Sequence, residues 1–139
     1  MNAIMSTNYR EPTEEQNELA RLAVHAAYKI HKSLGPGLLE NVYEACMVHE
    51  LRKMGLTVES QILIPIHYDG IILNSNLRID LLINNELLIE IKAVEKQQEI
   101  YQAQVLTYLK LMNKKLGLLI NFNTVVIKDG IQRVVYSNI

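Results

Sequence analysis

The chain is 139 residues long, 49% apolar and 21% charged, with a formal net charge of −1. That length fits one domain with one hydrophobic core, and the composition excludes long disordered tracts. The balance of charge argues against holding nucleic acid by bulk electrostatics alone, and the single cysteine, Cys46, excludes an intrachain disulfide and favours a reducing, cytoplasmic setting.

The opening run MNAIMSTNYREPTEEQNE has neither a basic n-region nor an apolar h-region, so no signal peptide is expected. No stretch approaches the ~18 uninterrupted apolar residues of a membrane helix. Residues 1–12 read as a loose tail and 13–139 as a single domain. Thr13 is the expected N-cap of a first helix, with Glu14, Glu15 and Gln16 in its first turn. Leu19, Leu22, Ala23, Ala26, Ile30 and Leu34 follow helical spacing until Gly35-Pro36-Gly37 stops it. A second helix is expected from about Leu38 to Met54, closed by Gly55.

Val58–Tyr68 reads as strand, Asp69-Gly70 as a hairpin turn and Ile71–Leu73 as its return. After an Asn74-Ser75-Asn76 turn, Leu77–Ile83 and Leu87–Ala93 read as two more strands. A third helix is expected over about Gln97–Met112. Leu116–Phe122, Val125–Ile127 and Ile131–Tyr136 close as strands, the last two joined at Asp129-Gly130. The order predicts a single α/β domain on a mixed sheet.

The chemistry sits where charge interrupts apolar strands. In Leu77–Ile83, alternation puts Leu77, Ile79, Leu81 and Ile83 on one face and Arg78, Asp80 and Leu82 on the other. Both faces are mostly apolar, which predicts a central strand and places Asp80 in or near the core. A buried carboxylate needs a partner, either a metal or a cation such as Arg78 or Lys92. In Leu87–Ala93, Glu90 and Lys92 share one face. Two close carboxylates repel unless a cation lies between them, and Mg²⁺ prefers hard oxygen ligands with waters retained. A lysine beside metal-bound water can orient that water or steady phosphate charge.

Asp80 and Glu90 can share a face only if the turn between their strands has an odd number of residues, so a three- or five-residue loop is predicted in place of a two-residue Asn84-Asn85 hairpin. On the second helix, Leu39, Val42, Tyr43, Cys46, Met47, Leu51 and Met54 outline an apolar arc. Glu40 falls within it, Glu50 is a rival in the same arc, and Glu44 projects just outside, toward solvent. On the third helix Gln104 lies one turn from Tyr101 and Tyr108, a spacing that also suits a polar-edged amphipathic face. The four histidines lack metal-ligand spacing, and Cys46 reads as core.

Gly37-Leu-Leu-Glu40-Asn-Val-Tyr43, Arg78-Ile-Asp80, Glu90-Ile-Lys92, Ala103-Gln104-Val-Leu-Thr-Tyr108 and Leu118-Leu-Ile-Asn121-Phe122 together resemble, in order, the segments of the GxxExxY family of the PD-(D/E)xK nuclease superfamily. The resemblance runs from about the first helix to Val135. It implies a restriction-endonuclease-like mixed sheet flanked by helices, with Asp80, Glu90, Lys92, Glu40 and Gln104 as site residues. Asp80, Glu90 and Glu40 would be the metal ligands for Mg²⁺ or Mn²⁺. One departure stands out: relatives often carry a histidine three residues before the glutamine, where this chain has Tyr101.

The resulting expectation is a metal-dependent nuclease that hydrolyses DNA, with homodimerisation suggested by the resemblance and no membrane association. The alternative is a nuclease-like module with an idle site that binds nucleic acid or a protein. Metal-dependent cleavage and metal-dependent thermal stabilisation separate the two.

Overall fold

A computed structural model describes residues 11–75 and 77–137. The expected tail, but for Glu11 and Pro12, and Asn76 of the expected turn lie outside the described residues. Thr13 caps α1 (Glu14–Leu34) through a reciprocal box: its hydroxyl accepts the Gln16 N–H at 3.1 Å, and Gln16 Oε1 accepts the Thr13 N–H at 2.9 Å. α2 (Glu40–Lys53) follows the glycine-rich turn and buries Tyr43, Met47 and Leu51.

The strands are β1 (Val58–Leu63), β2 (Ile66–Tyr68), β3 (Ile71–Leu73), β4 (Arg78–Ile83), β5 (Leu87–Lys92), β6 (Leu116–Asn121) and β7 (Ile131–Val135), with α3 (Glu99–Met112) between β5 and β6. Five of them form a mixed sheet in the order β1-β4-β5-β6-β7, in which β5 and β6 are parallel and the other pairs antiparallel. A parallel neighbour requires a crossover, and α3 provides it. β5 is the central strand and its apolar residues are buried on both faces.

Two cores result. α1 and α2 cover one face over Leu81, Ile83, Ile89, Ile91, Leu118 and Ile120. α3 covers the other through Val105, Tyr108 and Leu109 against Leu82, Leu88 and Leu119. This single α/β domain, a mixed five-stranded sheet flanked by helices, is the restriction-endonuclease-like architecture expected.

Three expectations need correction. Val58–Tyr68 is not continuous: β1 ends at Leu63, Pro65 follows, and β2 pairs with β3 in a separate hairpin around Asp69-Gly70. Val125–Ile127 is not a strand. Val125 and Val126 are exposed, a 3-10 turn spans Ile127–Gly130, and β7 pairs with β6. Both edges of β6 are taken by β5 and β7, and the β-branched run is used up as the connection that carries the chain from the end of β6 back into β7.

The third concerns alternation along β4. Leu81 and Ile83 pack under α1 and α2, but Ile79 and Leu77 join Leu82 on the α3 side. On β1, Val58 and Ile62 divide in the same way. The change falls at Asp80 and Gln61, which the flanking pairs Ser60↔Leu81 and Ile62↔Ile79 set opposite each other. Gln61 has φ +53°, so the ribbon twists sharply at the residue pair on which the site is built.

Candidate metal centre

The turn between β4 and β5 comprises Asn84, Asn85 and Glu86, three residues as the register argument requires. Asn84 and Asn85 have φ of +49° and +58°, conformations that asparagine tolerates, and the Glu86 N–H donates to the Ile83 carbonyl at 2.9 Å. The register Ile83↔Leu87, Leu82↔Leu88, Leu81↔Ile89 then carries Asp80 opposite Glu90.

Backbone pairing stops at Leu81↔Ile89, although both strands continue. In the fork beyond it the carboxylates stand in for the ladder. The Asp80 N–H donates to Glu90 Oε1 at 2.9 Å, and the Ile91 N–H donates to Asp80 Oδ2 at 2.8 Å. Each carboxylate is thereby aimed by the opposite strand.

The pair is electrostatically stressed. Glu90 is 6% exposed. Desolvation, followed by the charge of Asp80, pushes its carboxyl up to about 8, while the Asp80 N–H, Lys92 and Glu40 contribute lesser effects. Desolvation raises Asp80 as well, against the opposing pull of the Ile91 N–H, Gln61 and Lys92. Glu40, the first residue of α2, is raised by desolvation and then by Asp80, and lowered by Lys92. Asp80, Glu90 and Lys92 therefore lie together, with Glu40 within reach of their charges but exposed on the first turn of α2, outside the buried arc to which helical projection assigns it; Leu39 and Val42 of that arc are exposed as well.

The glycine-rich turn explains how Glu40 gets there. Gly37 has φ +97°, a conformation that disfavours any side chain. The Tyr43 hydroxyl donates to the Gly35 carbonyl at 2.7 Å and accepts the Leu38 N–H at 3.1 Å. The Tyr43 ring stacks on Phe122 with centroids 4.5 Å apart, and the Phe122 N–H donates to the Lys92 carbonyl at 2.9 Å. The glycine turn and Tyr43 thus tie the start of α2, where Glu40 stands, to the end of β5.

A model of the PD-(D/E)XK nuclease superfamily matches residues 17–134. The chain belongs to the PD-(D/E)XK nuclease superfamily. No curated protein and no solved structure matches it significantly.

Nucleases of this superfamily generally use divalent metals, and the residues present fit one. Asp80 and Glu90 offer hard oxygen donors whose mutual repulsion a cation would relieve. Among the described residues no group of three or more His, Cys, Asp or Glu side chains is arranged to hold a metal ion. A two-carboxylate site suits an ion that keeps several waters. Glu40 is coupled to the pair without completing such a group.

Two other carboxylates of this PD-(D/E)XK chain exchange the places that helical projection assigns them. Glu50 does not approach the site: it pairs with Lys29 at 2.8 Å and with Lys53 at 3.9 Å. Glu44, expected toward solvent, is raised by desolvation and by Asp80, and its Oε1 accepts from Gln61 Nε2 at 2.8 Å. The same Nε2 donates to Asp80 Oδ1 at 3.3 Å, so Gln61 links α2 to β4.

Gln104 acts on Tyr108 of the same helix. Its amide lowers the Tyr108 hydroxyl, which desolvation, Glu90 and Asp80 raise. No hydrogen bond joins Gln104 to Lys92 among the described residues.

Asn121 is another residue the strand pattern hides. Buried at the end of β6, it accepts the Val94 N–H at 3.0 Å and donates to the Val94 carbonyl at 3.0 Å. It clamps the chain two residues past Lys92. The one signal in the sequence is an amide in the otherwise apolar run Leu116–Phe122.

Proposed function

We propose that the chain is a Mg²⁺- or Mn²⁺-dependent nuclease of the GxxExxY kind that hydrolyses phosphodiester bonds of DNA in the cytoplasm, with a homodimer as its expected assembly. The observation that carries this reading is the Asp80–Glu90 pair: a buried Glu90 and a half-buried Asp80, electrostatically coupled and aimed by each other's strands, in a chain of a nuclease superfamily.

The ion, when bound, supplies Lewis-acid polarisation of the phosphate and a more acidic water. Asp80 and Glu90 hold it, with Glu40 beside them. Lys92 orients the attacking water or steadies charge developing on the phosphate oxygens. Gln104, through Tyr108, supports the α3 side of the site. Gly37, Glu40 and Tyr43 stand at the three positions that name the GxxExxY family; Gly37 is required by its backbone conformation and Tyr43 by its hydroxyl bonds and ring stack, and Glu40 is coupled by charge to Asp80 and Lys92.

The test is Mn²⁺ titration by calorimetry, followed by cleavage assays on single-stranded, duplex and branched DNA and on RNA. Asp80→Asn or Glu90→Gln should abolish both metal binding and cleavage. Lys92→Ala should retain metal binding and lower cleavage by ~10²–10⁴-fold. A wild type that neither binds metal nor cuts any substrate would shift the reading to a binding module. Light scattering reports the assembly.

A further inference from the structure

Lys92 lies close enough to Asp80, Glu90 and Glu40 to lower all three carboxyls, yet among the described residues it makes no ion pair with any of them. This is unexpected for an ammonium on a flexible stem beside three acids, because a direct salt bridge is its easiest contact. Lys92 lies instead over the face of Tyr101 on α3, with Nζ 4.8 Å from the ring centroid.

An aromatic face attracts a cation through its quadrupole, more strongly in a partly desolvated setting. Both residues are partly buried, and Tyr101 packs against the core beneath α3. The ring is therefore held by packing, and the ammonium is drawn to it.

We propose that Tyr101 is a positioning residue. It holds the Lys92 ammonium beside the carboxylate pair, off it, so that Asp80 and Glu90 stay available for a cation and Lys92 stays available for a phosphate or water. The inference rests on the proposed metal-dependent reading for its functional consequence, but the placement of Lys92 can be tested without it. Tyrosine at this position is then a working part of the site: it acts through the π face, which phenylalanine also has, and needs no ring nitrogen or hydroxyl.

Without the ring, Lys92 should swing onto Asp80 and Glu90 and compete with a metal. Three measurements follow on the full chain. In protein whose lysines are ¹³C-methylated, the Lys92 signal, identified by its loss in Lys92→Ala, should be ring-current shifted upfield in wild type and Tyr101→Phe and return to an ordinary position in Tyr101→Leu. Mn²⁺ affinity by calorimetry should fall roughly three- to thirty-fold in Tyr101→Leu, the range expected of a cation–π contact, and stay near wild type in Tyr101→Phe. Adding Lys92→Ala to Tyr101→Leu should restore it, which a general loosening of α3 would not do.

On DNA, Tyr101→Leu should lose kcat with KM little changed, and Tyr101→Phe should rescue it. An unshifted Lys92 signal in wild type, or equal Mn²⁺ affinity in wild type and Tyr101→Leu, would overturn the proposal. A wild type that binds no metal and cuts nothing would count against the nuclease reading, and the shift alone would then decide where Tyr101 holds Lys92.

Discussion

A carboxyl buried as Glu90 is, opposite Asp80, keeps its proton in the metal-free protein up to a pH of about 8, against 4.5 when unfolded. Between those values the folded chain binds more protons than the unfolded one, so stability must fall as pH rises. The contribution is fully present below 4.5 and lost as pH passes through about 8, an effect on the order of a few kcal/mol. Thermal melts in EDTA from pH 5 to 9 should show this decline in wild type and a flatter profile in Glu90→Gln. A flat wild-type profile would mean that the pair is solvated or cation-paired. Residues of this kind can be read from sequence because charge inside apolar strands is conspicuous. Glu44 could not be read in this way. Helical projection supposes that the buried arc faces one flat layer, whereas α2 begins beside a strand fork, where a side chain off the arc still meets Asp80. The absence of a Lys92–Asp80 ion pair was likewise illegible, since it depends on a ring from a helix nine residues further along the chain.

Two connecting elements bring α2 and the end of β5 together, and each can be broken separately. The turn before α2 needs Gly37 at φ +97°, so Gly37→Ala should cost about 1 kcal/mol and disturb Glu40. Tyr43→Phe keeps the Phe122 stack but removes the hydroxyl shared by Gly35 and Leu38, with a similar cost near 1 kcal/mol. Denaturant midpoints measure both, and weakened cleavage in Tyr43→Phe would report the slackened turn. At the other end, Asn121→Ala leaves the Val94 N–H and carbonyl without their partner. A loss of roughly 2–4 kcal/mol is expected, with Mn²⁺ binding retained, because Val94 lies beyond Lys92 while the carboxylates are held by each other's strands. Loss of metal binding in a folded Asn121→Ala protein would show that the clamp supports Glu90 itself. The three helices and β4–β5 were legible because caps, glycines and periodicity agreed with packing. Val125–Ile127 was not: its β-branched residues satisfy strand propensity, but the segment serves as the connection between β6 and β7, and Val125 and Val126 stay exposed.

At the scale of the whole molecule, charge decides how a substrate could approach. The chain carries 14 Lys and Arg against 15 Asp and Glu. Glu40, Glu44, Asp80 and Glu90 gather at the fork, where Lys92 is the cation that acts on three of them. A phosphodiester entering the metal-free site meets acidic groups even with Glu90 protonated, and the rest of the chain, 13 Lys and Arg against 11 Asp and Glu, carries only a small positive surplus. A divalent ion at Asp80 and Glu90 reverses the local sign. DNA binding should therefore depend on metal at the binding step as well as the cleavage step. With Lys92→Ala, which should bind metal yet cut slowly, fluorescence anisotropy should show affinity at least about tenfold higher in Mn²⁺ than in EDTA. The salt dependence should be shallow: each phosphate contact adds about 0.9 to the slope of log K against log salt, and so neutral a chain should make only about one to three. Equal affinity in EDTA and Mn²⁺, or a slope near −6 or steeper, would place the main nucleic-acid contact on a basic surface away from the fork, and the carboxylate pair would no longer govern substrate binding.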